Sequence, residues 1–358
     1  MEKRWNTDKV RKYIGSFESS WFAYATSEHL RTNAASGGVI TALLLNLINK
    51  GDVDGALVCG SIIENGRAQP LFFIAQDKEA LLSAQGSKYN AVDFNRDALP
   101  LIREFKGRLA VVALPCDTTN LHRVCENDPC LNDKVAVVIT LFCGHNSRHE
   151  LTDMVVDQLA PAGASLTGFR YRQGHWRGSL TAEFDSGERI EKPFSTFSDY
   201  QNLFFYCQQK CHHCIDHTGF NGDISIGDIW SRRIKSNPIK HNAIIVRTST
   251  GSKIFAEAIN AVVLTAFPET IAAVCEGQAR SLPFHYNISA RAKAGSFLRI
   301  KIKDSVHERV RWNHFLVALI ALFNEKLSRS PGGQRIIRFM PRFILKMVLY
   351  MMKGLESI

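Results

Sequence analysis

The 358-residue chain lacks any apolar run long enough to cross a bilayer. Its longest, Phe315–Phe323, falls well short of the roughly 20 residues a spanning helix needs. Met1–Tyr13 (MEKRWNTDKVRKY) has no apolar segment, so no secretion signal is expected and the expected location is cytoplasmic. No internal repeat and no low-complexity stretch is present, which sets aside solenoids and flexible linkers. With 45% apolar and 22% charged residues, disorder and coiled coil are excluded as well. Residues 1–58 contain no cysteine, and residues 1–290 carry no net charge. The net charge of +10 therefore lies in residues 291–358, which hold 14 Lys/Arg against 4 Asp/Glu. A neutral body argues against a nucleic-acid surface and makes the basic tail a separate question.

What is present is first an alternation of helix and strand signals. Ser36–Lys50 has Val39, Ile40, Leu43, Leu44, Leu47 and Ile48 at helical spacing, with Ser36 as N-cap and Gly51 as stop. Gly55–Gly60, Leu109–Leu114 and Val135–Phe142 read as buried strands, with a short helix over Asp117–Val124. After residue 163 the strands become shorter: Ser165–Tyr171, Ser179–Phe184, Arg189–Pro193, Asp223–Ile229 and Ala243–Val246. A helix is expected over Ser252–Val262. The expected fold is mixed α/β and α+β: a parallel-rich sheet core, an inserted region that carries a cluster of Cys and His at 207–214, and a C-terminal helical tail. The expected divisions are residues 1–162, 163–290 and 291–358.

Nine cysteines in a reducing compartment are not expected to form disulfides. Cys116 and Cys143 each follow the end of a buried strand. If those strands are parallel neighbours, both thiols reach the carboxyl edge of the sheet, where ligands gather. Cys211 and Cys214 form C-H-H-C, a spacing that lets two thiolates grip one metal centre. The four together could make an all-sulfur site. By spacing alone an iron–sulfur cluster, a zinc site and unliganded thiols all remain open. His212 and His213 are expected to face solvent, and Cys59 and Cys275 to be packed core thiols. Cys125, Cys130 and Cys207 are spare candidates.

Two segments suit an anionic ligand. Ser36-Gly37-Gly38 opens a helix, where free N–H groups and the helix dipole favour phosphate, although the same residues also serve as a plain cap. Gly86-Ser87-Lys88-Tyr89 places a hydroxyl, an ammonium and an aromatic ring together, although it also reads as an exposed loop.

Taken in order, N-A-A-S-G-G (33–38), Q-G-S-K-Y (85–89), L-P-C (114–116), F-C-G-H (142–145), G-F-R-Y-R-Q-G-H-W (168–176), C-H-H-C (211–214) and G-D-I-S-I-G-D-I-W (222–230) resemble the family of coenzyme F420 hydrogenase and dehydrogenase beta subunits. The resemblance spans about residues 20–290. It implies FAD and a 4Fe–4S cluster side by side, with electrons passing between a ferredoxin-like one-electron carrier and a two-electron small-molecule acceptor. It assigns the cluster to Cys116, Cys143, Cys211 and Cys214. Flavin contacts fall to Asn33, Ser36, Gly37 and Gly38, and to Ser87, Lys88 and Tyr89. Asp223, Gly227 and Asp228 match the strand behind the cluster, the carboxylates of the two aspartates binding either ribose hydroxyls or backbone amides. His145 and His175 lie near this site by motif, each read as a structural histidine. The family's F-R-D-K stretch is Phe169-Arg170-Tyr171-Arg172 here. With no cysteine before residue 59, a second cluster must come from another protein. The acceptor stays open between the deazaflavin coenzyme and a metabolite, such as one of surface-polysaccharide biosynthesis. A homo-oligomer also stays open. The competing expectation is a non-catalytic zinc-binding scaffold in a membrane-associated assembly.

In the tail, a helical wheel over residues 334–353 places Arg335, Arg338, Arg342, Lys346 and Lys353 in one arc of about 80°, with apolar side chains filling the rest. That pattern suits an interfacial helix on an anionic membrane, with docking on the body or on a partner as the alternatives. Pro341 is expected to kink it or to start a second helix.

Overall fold

The computed structural model describes residues 7–174, 178–231, 234, 237–279 and 281–357. His175 lies outside them. The centre is an eight-stranded sheet. It contains β1 (Ser19–Ala25), β2 (Gly55–Glu64), β3 (Arg67–Ala75), β4 (Leu109–Ala113) and β5 (Val135–Leu141). A separate three-stranded sheet follows, made of β6 (Leu166–Gln173), β7 (Ser179–Phe184) and β8 (Arg189–Pro193). The chain then returns to the first sheet with β9 (Ile224–Asp228), β10 (Asn242–Val246) and β11 (Leu264–Pro268), giving the order β11-β1-β10-β9-β5-β4-β2-β3. Neighbours among β2, β4, β5 and β9 pair in parallel, and the outer strands pair antiparallel. Residues 163–290 therefore do not stand apart from residues 1–162, because β9–β11 complete the same sheet.

The parallel centre is covered on both faces, so its strands read as continuous apolar runs. On β4, Ala110 and Val112 join the core under helices Val39–Lys50 and Ser249–Asn260. Leu109, Val111 and Ala113 point the other way, into the core shared with helices Leu99–Glu104 and Pro115–Asn127. Strands β1, β3 and β11 escape the sequence reading because their burial is uneven along the strand.

Two local expectations change. The helix expected from Ser36 begins at Val39, capped by Gly38 in the left-handed region (φ 77°), while the Ser36 hydroxyl donates to the His241 carbonyl at 2.9 Å. The helix expected over Asp117–Val124 starts earlier, at Pro115, where a missing N–H is tolerated, so Cys116 falls in its first turn.

The tail folds as helices Ile288–Leu298, Trp312–Leu327, Pro331–Arg338 and Arg342–Ser357. The single wheel over 334–353 is broken at Phe339–Pro341. Its apolar side divides in two. Ile337, Leu345, Leu349 and Met352 are buried in the core that also holds Phe197, Cys207 and Cys211. Ile336, Phe339, Phe343, Met347, Tyr350 and Met351 remain exposed. Among the described residues no helix is long and apolar enough to cross a membrane.

Candidate functional site

A cavity of about 300 Å³ opens at the carboxyl edge of the parallel strands, a size suited to a small-molecule site. Its floor is the middle of β2 and the ends of β4, β5 and β9, and its sides are the start of helix Val39–Lys50, residues 84–90 and Arg172. Parallel strands bring this about because consecutive crossover loops all emerge at the same edge.

The flavin candidates do not all reach this cavity. Ser36 and Gly38 line it, whereas Asn33, at the end of helix Glu28–Asn33, and Gly37 do not. Gly37 is pressed against the sheet: a Cβ there would stand 2.8 Å from Asn242 Oδ1 and 3.0 Å from the Ala23 carbonyl. Ser87, Lys88 and Tyr89 all line the cavity. The Lys88 ammonium, however, donates to the carbonyls of Ala84, Gln85 and Gly86, closing the turn after helix Lys78–Ser83. Burial pushes it down to about 8. Tyr89 is held by stacking on Phe194, with ring centroids 5.6 Å apart.

The two aspartates of the G-D-I-S-I-G-D stretch take different roles. Asp223 is not at the cavity: it accepts from the Val138 N–H at 2.8 Å and from the Thr248 hydroxyl at 2.6 Å. Asp228, at the other end of β9, lines the cavity with Gly227 and forms a two-pronged ion pair with Arg172, at 2.7 and 2.9 Å. The Arg172 side chain is 4% exposed and also donates to the Ala35 carbonyl at 2.7 Å, so it ties β6, β9 and the helix-opening turn together. A glycine is needed at 227, since a Cβ would meet the Phe142 ring at 2.1 Å.

Four thiols converge beside the cavity. Cys116 and Cys143 arrive from the ends of β4 and β5, and Cys211 and Cys214 from a short 3₁₀ turn over Gln209–His213. Cys143 is held well above the usual thiol range by burial and then by the charges of Cys211, Cys116 and Cys214. Cys211 is shifted down, first by a hydrogen bond from Cys207 and also by the Asn146 N–H, which lies 3.4 Å from its sulfur. Cys207 touches only Cys211 of this set and otherwise packs in the core. All nine cysteines are free thiols. Among the described residues no three His, Cys, Asp or Glu side chains meet at the spacing of one metal ion. Cys125 is nine residues from Cys116 on one helix, about 14 Å along its axis, and exposed Cys130 lies beyond it. Cys275 is a core thiol as expected, but Cys59 is half-buried and lines the cavity.

Burial holds His145 and His212, beside the thiols, below the usual imidazole range. His145 stacks on Phe204 at 4.5 Å, bonds the Gln201 carbonyl at 3.0 Å, and is pushed down to about 4 by burial. His213 faces solvent, but His212 is 1% exposed, and burial followed by the Arg291 charge pushes it down to about 3.

Sequence reasoning missed Arg172, Gln85, Asn242 and Arg291 as site residues. Gln85 and Arg172 stood inside motifs already singled out. Asn242 donates to the Gly227 carbonyl at 3.1 Å and carries no local signal.

The cavity lies at the edge of a parallel sheet, where ligands gather, and shares Cys143 with the set of four thiols. Two family models match the chain: that of the N-terminal part of the coenzyme F420 hydrogenase/dehydrogenase beta subunit over residues 20–96, and that of its C-terminal part over residues 106–271. The chain belongs to this family, an oxidoreductase family. It is 28% identical over 228 residues to a component of the F420H2 dehydrogenase of Methanosarcina mazei, covering 63% of this chain and 60% of that protein. It is 23% identical over 254 residues to the beta subunit of the coenzyme F420 hydrogenase of Methanosarcina barkeri, covering 69% of this chain and 80% of that protein. A chain of the F420-reducing [NiFe] hydrogenase complex of Methanosarcina barkeri shares the fold, with a TM-score of 0.61 at 20% identity, over 82% of this chain and 98% of that one.

Proposed function

We propose that the protein is a flavin- and 4Fe–4S-dependent oxidoreductase. It passes electrons between a ferredoxin-like one-electron carrier and a two-electron acceptor, the deazaflavin coenzyme F420 or a pathway metabolite. One observation carries this reading: Cys143 lines the cavity and belongs to the four-thiol set, so a ligand in the first would sit against a centre held by the second. Relatives described as F420 hydrogenase subunits and as an F420-dependent sulfite reductase support the deazaflavin.

The residues fit both groups. Gln85 Oε1 and Arg172 Nε are buried polar atoms without a partner, and both residues face the cavity. At Gly86 a Cβ would meet nothing within 4 Å, which leaves the backbone open to a flat ring or a phosphate. A bound flavin would supply two-electron chemistry and the cluster single electrons. The chain's part is to hold and orient them. Cys116, Cys143, Cys211 and Cys214 would carry the cluster, and Gly38, Ser36, Gln85, Ser87 and Tyr89 would frame the flavin. Four thiols drawn from three separate chain segments suit an iron–sulfur centre better than the zinc-scaffold reading, whose sites usually draw on two short knuckles.

The exposed tail face favours a second element of function, attachment to an anionic membrane surface. Phe339, Phe343 and Tyr350 are 71%, 70% and 69% exposed, and the exposed Arg335, Arg338, Arg342 and Lys346 lie on the same two helices. Cations beside an outward apolar face are what an interfacial helix needs. Work as one member of a larger assembly is the corresponding partner reading, by analogy with the hydrogenase complex.

Anaerobic purification tests the main reading. Flavin and about four iron atoms per chain are expected for one such cluster, with Cys143→Ser and Cys211→Ser losing iron and Cys275→Ser keeping it. A colourless protein with stoichiometric zinc, or equal iron loss in all three variants, overturns it.

A further inference from the structure

The tail supplies one charge that does not belong to its surface. Arg291 lies on helix Ile288–Leu298, beyond the residues the family models match, and is 1% exposed. Its Nε donates to the His212 carbonyl at 2.9 Å and its Nη2 to the Cys214 carbonyl at 3.0 Å, so it grips the C-H-H-C turn from behind. One face of the guanidinium rests on the Phe284 ring, 4.1 Å from its centroid. Its Nη1 is buried with no partner. Among the described residues no carboxylate stands in ion-pair range of it. The nearby buried Glu325 is held by Arg329 at 2.6 Å. A buried cation is costly unless an opposite charge compensates it, and the thiols of Cys214, Cys207 and Cys211 are the groups around Arg291 whose ionised or metal-bound forms would supply that charge.

We infer that Arg291 is the fixed counter-charge of the thiolate centre, a positioning residue that raises the centre's reduction potential. The inference rests on the cluster reading above. Reduction adds one electron to a centre already made negative by its thiolates. A buried positive charge with no carboxylate beside it stabilises the reduced form more than the oxidised one, because the local dielectric screens little. Burial also requires the compensation to be mutual: without thiolates or a cluster, Arg291 would be an unpaired buried cation.

The test is a redox titration of the anaerobically purified full chain, followed by electron paramagnetic resonance, for wild type, Arg291→Gln and Arg291→Lys, with iron counted in each. The neutral variant should shift the equilibrium between reduced and oxidised centre at least tenfold toward oxidised, a fall of about 59 mV for a one-electron couple. The lysine variant should stay within about threefold of wild type, since it keeps the charge while losing the two-pronged grip. Unchanged potential in Arg291→Gln at full iron content overturns the inference, as does an equal shift in both variants, which would mark a purely structural staple. If Arg291→Gln loses its iron, Arg291→Lys decides: iron and potential retained support the counter-charge, and iron lost refutes it. Wild type without iron refutes the cluster reading instead.

Discussion

Replacing Asp228 with alanine removes the carboxylate that faces the Arg172 guanidinium at 2.7 and 2.9 Å. The two partners differ in exposure, 4% for the arginine side chain and 26% for the aspartate, and that difference sets the expected energies. Asp228→Ala leaves a buried cation with the Ala35 carbonyl and the faces of Trp230 and Phe194, at 5.2 and 5.8 Å, as its remaining company. Breaking a buried pair costs about 3–5 kcal/mol, and the solvent reaching Asp228 places this case near the lower end, about 3 kcal/mol. Arg172→Met leaves a carboxylate that water can reach, and should cost only about 1–2 kcal/mol. The double variant should reveal a coupling of about 2 kcal/mol. The assay is denaturant unfolding of all four proteins at equal cofactor loading, read as midpoint shifts at constant slope. The reasoning is refuted if Asp228→Ala costs less than about 1 kcal/mol, or no more than Arg172→Met. A stability-neutral Asp228→Ala with weakened flavin binding would return Asp228 to the ribose-binding role.

Lys88 predicts a pH effect. Burial lowers it from 10.5 to about 8 in the folded chain, so between these values the unfolded chain binds more protons and stability rises with pH. At about 1.4 kcal/mol per unit, wild type should gain about 3 kcal/mol on Lys88→Met between pH 8 and 10.5. A pH-independent difference in unfolding free energy would contradict the buried ammonium. For the tail, the triple change Phe339→Ser, Phe343→Ser and Met347→Ser should abolish most co-sedimentation with anionic vesicles while leaving circular dichroism unchanged. Equal sedimentation of both proteins, or binding to neutral vesicles alone, removes the membrane reading. Truncation at residue 330 is a poorer test, because it also removes the core residues Ile337, Leu345 and Leu349.

Much of the site is written in local sequence, and the reason is chemical. Thiols at the ends of two apolar runs, and a C-x-x-C, identify themselves by residue type and by the geometry of parallel strands. Val111 and Val138 sit side by side in the expected parallel pair. Glycines at 38 and 227 likewise mark a backbone turn and a close approach. Roles that depend on a partner distant in sequence were not legible. Asp223 and Asp228 stand in near-identical local settings, and only the fold hands one to the Val138 amide and the other to Arg172, 56 residues away. Lys88 looked free for an anion, but the turn that precedes it consumes its protons.

The sequence by itself determined the class of sheet, the four thiols that the fold gathers beside one another and the concentration of all ten net charges in residues 291–358. These follow from periodicity, residue chemistry and counting, which need no partner. Tertiary structure decided what the tail does with its charges and its apolar face. A helical wheel treats one helix alone in a uniform medium, so it cannot tell Leu345, buried against the body, from Phe343, open to solvent. Nor can it show that Arg291, one cation among fourteen in the tail, is buried behind Cys214. Burial and long-range contact set those roles, and both exist only once the chain has folded back on itself.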